Sequence, residues 1–265
     1  MKNSVNKHRV LCYFSIFSIM LIYSAQGKVP QESSKLNAET MLNEFVENYR
    51  HKVADTLSFV VQFDIQPNNQ LWHVIIESGK QVKLEKGPDN RALFTFAATL
   101  DSLRLIYEGR MTALTAAGKA SGSDSAPLDL NLPEGFEFTP DVRLKLFDFV
   151  QHFFNRSVPE KVLLGEEYSR LVHGANVITL YYHQGFRSAW YMVKKNQRLN
   201  EPGDTNPFPQ AFIFFSGQGF AKIGNETIKV KAGESYYIPP DSDHMVWTEN
   251  EEPLVLIWLA WGKGA

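Results

Sequence analysis

The sequence predicts an α+β domain followed by an all-β jelly roll. In the first half, helix-like and strand-like patterns alternate, whereas from about residue 161 only short strand-like runs separated by Gly, Asn and Pro turns occur. With 265 residues and 44% hydrophobic content, the chain is long enough for two modest domains or one large one. We therefore expect a first domain over residues 38–155 and a second over residues 161–265.

The N-terminal segment has the pattern of a secretory signal. Basic residues precede an uncharged run from Val10 to Ala25, and the run ends in the small residues Ala25 and Gly27. We expect residues 1–27 to be cleaved as a signal peptide and the protein to be exported, either to a periplasm or out of the cell. The alternative is an uncleaved segment that anchors the chain in a membrane, although the run is short for a full span.

Composition excludes two classes of function. The 27 Lys and Arg residues are balanced by 29 Asp and Glu residues, for a formal net charge of -2, so we expect no nucleic-acid partner. The single cysteine, Cys12, lies inside the predicted signal. The mature chain therefore has no disulfide, no thiol nucleophile and no thiolate metal ligand.

The first half is predicted to contain a helix, a strand meander and two further helices. The stretch "ETMLNEFVENY" carries apolar residues at helical spacing, and four strand-like runs follow, from "LSFVVQFDI" to "ALFTFAAT". Thr99 is placed to cap the next helix, which should end at Gly109, and a short helix precedes Gly118. We expect the four strands to pair antiparallel in chain order.

Two stretches of the first half carry a family resemblance. "LWHVIIESGKQVKLEKG" and "FTFAATLDSLRLIYEGRMTALTAAGKASGS" together resemble the sterol carrier protein type 2 family, in which glycines recur at the positions of Gly109 and Gly118. The resemblance implies an apolar tunnel between sheet and helices that binds a lipid or another hydrophobic small molecule. The alternative is that the aromatic residues of the strands form an ordinary packed core, because core and tunnel have the same composition.

A later helix is predicted to bury more than one side. Thr139 is placed to cap it, Pro140 occupies its first position, and the apolar residues of "VRLKLFDFVQHFF" lie on more than one helix face. This helix either plugs the space between the two domains or closes the lipid pocket as a lid. We favour the plug.

The second half carries a second family resemblance. The stretch "GESYYIPPDSDHMVW" spaces Gly233, Pro239 and His244 as the second motif of the cupin superfamily does, and "QAFIFFSGQG" resembles the end of the first motif, with Gly217 as its last glycine. Asp241 stands where the family often has glycine. The resemblance covers residues 165–263 and implies a double-stranded β-helix, which is a jelly-roll barrel.

The residues at the usual metal positions of that family differ from its pattern. The first cupin motif normally supplies two histidines and a carboxylate, but here Gln210 falls at the carboxylate position and "GDTN" at the histidine positions. The candidate donors for a divalent metal ion are His244, Gln210 and Asp204, which form a weak set for a first-row metal, and His173 or His183 of the early strands could be recruited to it. The alternative is a barrel without a metal.

A barrel without a metal still has a mouth that could hold a small organic ligand. In such a site His244 could orient the ligand or act as a general base, and the alternative is an interior histidine bonded to a backbone carbonyl. Mostly aromatic walls with a few polar groups suit a small organic molecule. The candidate lining residues, taken from alternate strand positions, are Tyr182, Trp190, Met192, Gln210, Phe212, Tyr237, His244 and Trp247.

These observations leave three functions open. The first is an exported binding protein for a lipid or hydrophobic small molecule, with association to a membrane surface as a further expectation. The second is a metal-dependent enzyme, an oxygenase, isomerase or decarboxylase, that acts on a hydrophobic substrate. The third is assembly, in which two copies pair through the second domain. No catalytic residue can be assigned from the sequence, and we favour the binding protein.

Overall fold

The computed structural model describes residues 36–265. The predicted signal segment, residues 1–27, and Cys12 lie outside the described residues. Within residues 36–265, no helix is both long and apolar enough to cross a membrane.

The first half alternates helices and strands. Asn37 begins the first helix, because its side chain accepts a hydrogen bond from the backbone N–H of Thr40. The elements are α1 (Ala38–Tyr49), β1 (Phe59–Gln66), β2 (Gln70–Glu77), β3 (Gln81–Lys86), β4 (Ala92–Thr99), α2 (Leu100–Tyr107), α3 (Ala113–Ala117), β5 (Leu128–Asn131) and α4 (Pro140–Asp148), followed by a π-helical turn (Phe149–Phe153).

The predicted helix ends are confirmed. The hydroxyl of Thr99 accepts from the backbone N–H of Ser102, and Gly109, with a φ of 71°, follows the C-cap residue of α2. That left-handed conformation is one that glycine adopts without the steric penalty of a β-carbon. Thr139 caps α4 in the same way as Thr99 caps α2, with proline at the start of the helix.

The strands of the first half do not form the simple meander that the sequence predicts. They form a five-stranded sheet in the order β3-β2-β1-β4-β5, in which β4 lies parallel to β1. The first five residues of β1 are all buried, so this strand takes the centre of the sheet and needs a partner on each edge. The expectation of four antiparallel strands in chain order was therefore wrong for β4, and β5 was not predicted.

Phenylalanine side chains fill the space between this sheet and its helices. The rings of Phe149 and Phe153 are stacked with centroids 4.3 Å apart, and Phe153 also stacks on Phe63 at 5.7 Å. Rings at such separations attract each other beyond the gain from burial alone. The members of this cluster, all buried, are Phe45, Phe59, Phe63, Phe94, Phe96, Phe149, Phe153 and Phe154.

One polar pair joins α1 to α4 at the border of this core. The Tyr49 hydroxyl donates to Asp148 Oδ2 at 2.5 Å. Burial raises the pKa of Asp148, and burial together with Asp148 raises the pKa of Tyr49. The pair therefore satisfies two polar groups that would be costly to bury singly.

The second half consists almost wholly of strands. The strand-like runs predicted after residue 161 are all strands in the structure, and two short strands, β6 and β9, were not predicted. The elements are β6 (Arg170–Val172), β7 (Ala175–His183), β8 (Phe186–Val193), β9 (Arg198–Leu199), β10 (Gln210–Ser216), β11 (Gln218–Ile223), β12 (Glu226–Lys231), β13 (Ser235–Ile238), β14 (His244–Trp247) and β15 (Leu254–Trp261).

These strands form two sheets that share a core. One sheet has the order β13-β10-β15-β8-β7-β6 and the other the order β12-β11-β14-β9, which is a double-sheet jelly roll. Their shared core includes Tyr191 of β8, Phe212 and Phe214 of β10, and Val246 of β14. A separate apolar cluster, built on Ile178, Leu180 and Trp190, contains residues from β7 and β8 and has the partly buried Val162 and Tyr168 packed against it.

Two glycines of the second half occupy left-handed turns for different reasons. Gly217 has a φ of 75°, and a β-carbon there would lie 2.3 Å from the carbonyl oxygen of Pro253. Gly233 has a φ of 87°, and a β-carbon there would meet no atom within 4 Å. Gly217 is thus required by both conformation and space, whereas Gly233 is required by conformation alone.

The two halves meet along the edge of β7, and Leu36–Ala265 forms a single unit. β6 is short and pairs only with the start of β7, so the rest of that edge has no strand partner. Two backbone N–H groups of β7 donate instead to side chains of the first half, Thr179 to Thr115 Oγ1 at 2.9 Å and Tyr182 to Gln151 Oε1 at 3.1 Å. The first half therefore covers the open edge of the second.

Arg170 reinforces this junction from the other direction. Its guanidinium donates to the backbone carbonyls of Thr115, Ala116 and Gly118 at 2.6, 3.0 and 3.0 Å. These carbonyls lie at the C-terminal end of α3, where helix geometry leaves acceptors without partners. The second half thus completes the last turn of a helix in the first. The predicted division at residues 155–161 falls between the sheets but stays a prediction.

We predict that Thr115→Val destabilises the protein. Valine keeps the shape of threonine but leaves the buried N–H of Thr179 without an acceptor, which costs about 1–3 kcal/mol. Urea unfolding measures the change. Thr227→Val, on an exposed position of β12, is the control and should change stability by less than about 0.5 kcal/mol. Equal effects of the two substitutions would contradict the prediction.

We also predict that Gly217→Ala is more destabilising than Gly233→Ala. Both variants place a β-carbon in a left-handed conformation, which costs about 1–2 kcal/mol. In the Gly217 variant alone, the new β-carbon and the carbonyl oxygen of Pro253 must also move apart. Denaturant unfolding of the two variants separates the steric cost from the conformational one, and a smaller loss for Gly217→Ala would overturn this explanation.

Candidate functional site

His244 lies inside the jelly roll, on β14. The residue is 2% exposed, and its ring lies 6.1 Å from that of Phe212. Its Nδ1 is 3.0 Å from the carbonyl oxygen of Ser242, so this nitrogen carries the hydrogen and donates. Burial lowers the pKa of His244, and nearby backbone carbonyls and acidic groups only partly oppose that. The neutral ring therefore predominates at neutral pH, and Nε2 is the nitrogen without a hydrogen.

Gln210 is the other fully buried polar residue of this region. Its Oε1 accepts two hydrogen bonds, from Trp258 Nε1 at 2.8 Å and from Asn206 Nδ2 at 3.0 Å. Its Nε2 has no hydrogen-bond partner within residues 36–265, although the side chain is 0% exposed. The amide oxygen is thus committed to the protein, and only the amide N–H₂ group is free.

The acidic groups near His244 already form contacts with other residues. Asp204 is exposed, and its carboxylate accepts from the backbone N–H of Glu201 at 2.9 Å. Asp243 pairs with Lys222 Nζ at 2.5 Å, and this contact holds the pKa of Asp243 below its usual value. Asp241 is exposed with a φ of 58°, a conformation that aspartate tolerates. That conformation explains why a glycine also suits this position of the motif.

The candidate metal donors do not fit a metal ion. His244 can supply one nitrogen, and the Gln210 side-chain oxygen already accepts two hydrogen bonds. The Asp204 carboxylate lies in an exposed loop and accepts a backbone hydrogen bond. First-row metals need several nitrogen or oxygen donors directed at one point. Across residues 36–265, no three His, Cys, Asp or Glu side chains are grouped so that they could hold a metal.

A second histidine, His173, lies near this region. His173 is in the turn before β7, with a φ of 54°. Burial lowers the pKa of His173, and its neighbour His244 acts in the same direction, whereas Asp204 opposes it. The approach of the two histidines depends on the pairing of β9 with β14, which sequence pattern does not indicate.

The other expected lining residues point away from the barrel interior. Trp190 belongs to the separate cluster beside the shared core, and Met192 packs against that cluster. Tyr237 is 57% exposed and lies beside Trp261, and Trp247 stacks on Phe220 outside the shared core. Tyr182 contacts Phe147 and the core of the first half. Of the eight, the structure brings only Gln210, Phe212 and His244 together inside the barrel.

A cavity of about 400 Å³ lies where the two halves meet. Residues of four segments line it: the end of α2 through the start of α3, the π-helical turn with the chain that follows, the linker before β6, and the middle of β7. Its apolar lining residues include Ile106, Met111, Leu114, Val150, Phe154 and Leu180, and its polar ones Gln151, Arg156, Glu160, Lys161 and Tyr181. Most of the apolar group is buried, so the floor of the cavity is hydrophobic.

The segment that borders this cavity is held to α1 and to the residues just after it by charges. Glu160 lies 2.8 Å from Lys52 Nζ and 2.9 Å from His152 Nδ1. Burial raises the pKa of Glu160, but the contacts with His152 and Lys52 outweigh it and leave the pKa lowered. Arg156 pairs with Glu44 at 2.8 Å. The bordering segment is therefore positioned by ion pairs rather than by a strand or helix.

Comparison with known proteins finds one family match, which lies within the second half. The family model described as "Cupin domain" matches residues 197–260. Residues 38–155, where we expected a sterol carrier domain, lie outside this match, and that relation stays a prediction. No curated relative matches the sequence. Residues 197–260 of the jelly roll thus match a cupin domain.

Three of the similar solved structures come from bacteria. A cupin 2 conserved barrel domain protein from Salinispora arenicola shares 19% identity, with 39% of this chain and 88% of that chain covered and a TM-score of 0.35. The plu4264 protein from Photorhabdus luminescens shares 21% identity, with 39% and 88% covered and a TM-score of 0.35. A double-stranded β-helix domain protein from Klebsiella pneumoniae shares 18% identity, with 40% and 94% covered and a TM-score of 0.35.

We predict that added divalent metal does not stabilise the protein. A ligand that binds the folded state raises stability in proportion to the logarithm of its concentration over Kd, so without a site Mn²⁺, Fe²⁺ or Zn²⁺ should shift Tm by less than about 1 °C. Differential scanning calorimetry with each metal, and with EDTA as the reference, measures this. A rise of several degrees that disappears in His244→Gln would show that a metal site exists.

Proposed function

We propose that the protein binds a hydrophobic or amphipathic small molecule in the cavity between its two halves. The observation that carries this proposal is a cavity of about 400 Å³ with a buried apolar floor and polar groups around it. Volumes of about 300–1,000 Å³ with such a lining are typical of small-molecule sites.

The position of the cavity differs from the tunnel that the family resemblance implies. The expected tunnel lies between the first sheet and its helices, and the phenylalanine cluster occupies that space. The cavity lies on the other side of Phe154 and Val150, against β7. The proposed binding site for a hydrophobic molecule is therefore the cavity at the boundary of the halves and not the expected tunnel.

The lining suits a molecule with an apolar body and a polar end. Removal of apolar ligand surface from water contributes roughly 25 cal/mol per Å², so the buried floor supplies most of the affinity. Tyr181 and Lys161 are exposed and border the cavity, where they can hydrogen-bond a polar group of the ligand. Arg156 and Glu160 are already paired with Glu44 and Lys52, and they fix the wall.

The chemistry of the barrel favours binding over metal-dependent catalysis. An oxygenase, isomerase or decarboxylase of the metal-dependent kind needs a donor set that His244, Gln210 and Asp204 do not form. Cupin domains also occur in enzymes, so the enzyme alternative rests on the family alone. Export of the protein, association with a membrane surface and pairing of two copies stay predictions.

We predict that filling the cavity abolishes binding of an apolar probe. In Leu180→Trp the larger ring occupies cavity space, and we expect the affinity for dansyl-undecanoate to fall at least about tenfold, or 1.4 kcal/mol. Fluorescence titration measures Kd, and native mass spectrometry of the purified full chain detects a copurified ligand. Leu171→Trp, at a 66% exposed position of β6, is the matched control.

Two outcomes would contradict the proposal. One is the absence of probe binding to the wild-type chain, together with no copurified apolar molecule. The other is unchanged affinity in both Leu180→Trp and Met111→Trp, since Met111 lines the opposite wall on the α2–α3 connection. Thermal unfolding of each variant verifies that the fold is intact, so loss of binding is not confused with loss of structure.

A further inference from the structure

A second recess lies on the jelly roll, on the four-stranded sheet. It has a volume of about 460 Å³ and is lined by residues of β11, β12 and the segments that follow β12 and β14. We call it the β11–β12 groove and define it by Gln218, Phe220, Lys229, Lys231, Glu249 and Asn250. It shares no lining residue with the cavity between the halves.

We propose that the β11–β12 groove binds a neutral saccharide. This site is independent of the cavity function proposed above.

An aromatic ring, that of Phe220, lines the groove and is held in place by stacking. Across the sheet, Phe220 lies between Trp247 on β14 and Lys229 on β12. Phe220 stacks on Trp247 with centroids 5.5 Å apart and planes 17° from parallel, so Trp247 covers one face of the phenylalanine. The Arg198 guanidinium lies 5.3 Å from the Trp247 ring on the far side. Phe220 also lines the groove, beside its cross-strand partner Lys229.

Hydrogen-bonding groups surround this ring, and some are fixed in place. Asn250 Nδ2 donates to the Gln218 carbonyl at 3.0 Å, which leaves the Asn250 amide oxygen as an acceptor. Glu234 Oε2 accepts from the backbone N–H of Lys231 at 3.0 Å and from the Tyr236 hydroxyl at 2.9 Å. Groups fixed by the protein lose little entropy when a ligand binds.

The charges lining the groove balance. Lys229 and Lys231 supply two positive charges, and Glu234 and Glu249 supply two negative ones. Within residues 36–265, neither lysine forms a salt bridge. The lysines are thus available as hydrogen-bond donors, while the recess as a whole has no excess charge to select an anion.

These features together match a sugar ring. One face of a pyranose carries axial C–H groups and is apolar, while its rim carries hydroxyls that both donate and accept hydrogen bonds. The apolar face fits against the part of the Phe220 ring that lines the groove, and the rim fits the lysine, amide and carboxylate groups that line it too. A single-stranded nucleic acid also uses aromatic stacking, but it requires a positively charged groove, which the balance of charges does not provide.

The test is binding of the full chain to neutral oligosaccharides. An array of gluco-, manno-, galacto- and N-acetylglucosamine oligomers, followed by calorimetry on the strongest binder, measures Kd. We expect Phe220→Ala to weaken binding at least about tenfold and Phe220→Tyr to retain it, because the tyrosine keeps the aromatic face. Phe215→Ala, at a 57% exposed position in the other sheet, is the control and should not change Kd.

Three outcomes would overturn the proposal. They are no binding to any oligosaccharide on the array, binding that is unchanged in Phe220→Ala, and binding only to a thymidine oligonucleotide that is lost as salt is raised. Phe220→Leu, which keeps apolar bulk without an aromatic face, replaces the alanine variant if the latter unfolds. Leu180→Trp should leave saccharide binding unchanged, so the two sites are tested separately.

Discussion

The unpaired edge of β7 is the constraint on which the arrangement of the two halves depends. Past the short β6, the backbone N–H groups of this edge need acceptors, because a buried unpaired donor costs about 1–3 kcal/mol. Thr115 and Gln151 of the first half supply them, and Arg170 of the second half returns three hydrogen bonds to the end of α3. Since polar contacts fix the halves at their border, apolar side chains between them need not meet, and a cavity remains there.

The aromatic core of the first half explains why this boundary is the more suitable place for a ligand. The π-helical turn directs Phe149 and Phe153 into the sheet, where they stack with Phe63 and Phe96. The same segment uses Gln151 to contact β7 and Val150 to line the cavity. One side of this helical segment therefore packs in the core of the first half, and another side faces the second half. This explains why apolar residues lie on more than one of its faces.

Residues close together in the chain predicted the helices and strands, whereas the pairing of distant strands could not be predicted from the sequence. The caps at Thr99 and Thr139 and the eight long strands of the second half depend on residues close in the chain, and they are found as expected. The parallel pairing of β4 with β1 depends on distant residues. Alternation along β8 likewise shows which residues share a face but not which face is inside, and so Trp190 was assigned to the interior where Tyr191 lies.

The contact of Arg170 with α3 has a consequence for the order of folding during synthesis. α3 has only five residues, too few for an isolated helix to be stable. Two carbonyls of its last turn and the carbonyl of the C-cap residue Gly118 accept hydrogen bonds from Arg170, which the ribosome adds more than fifty positions later. The first half therefore emerges with an incomplete helix and with the residues facing β7 still open to water. The hydrogen bonds at the end of α3 form only after the start of the jelly roll has been synthesised. The two halves therefore complete their folding together rather than one after the other.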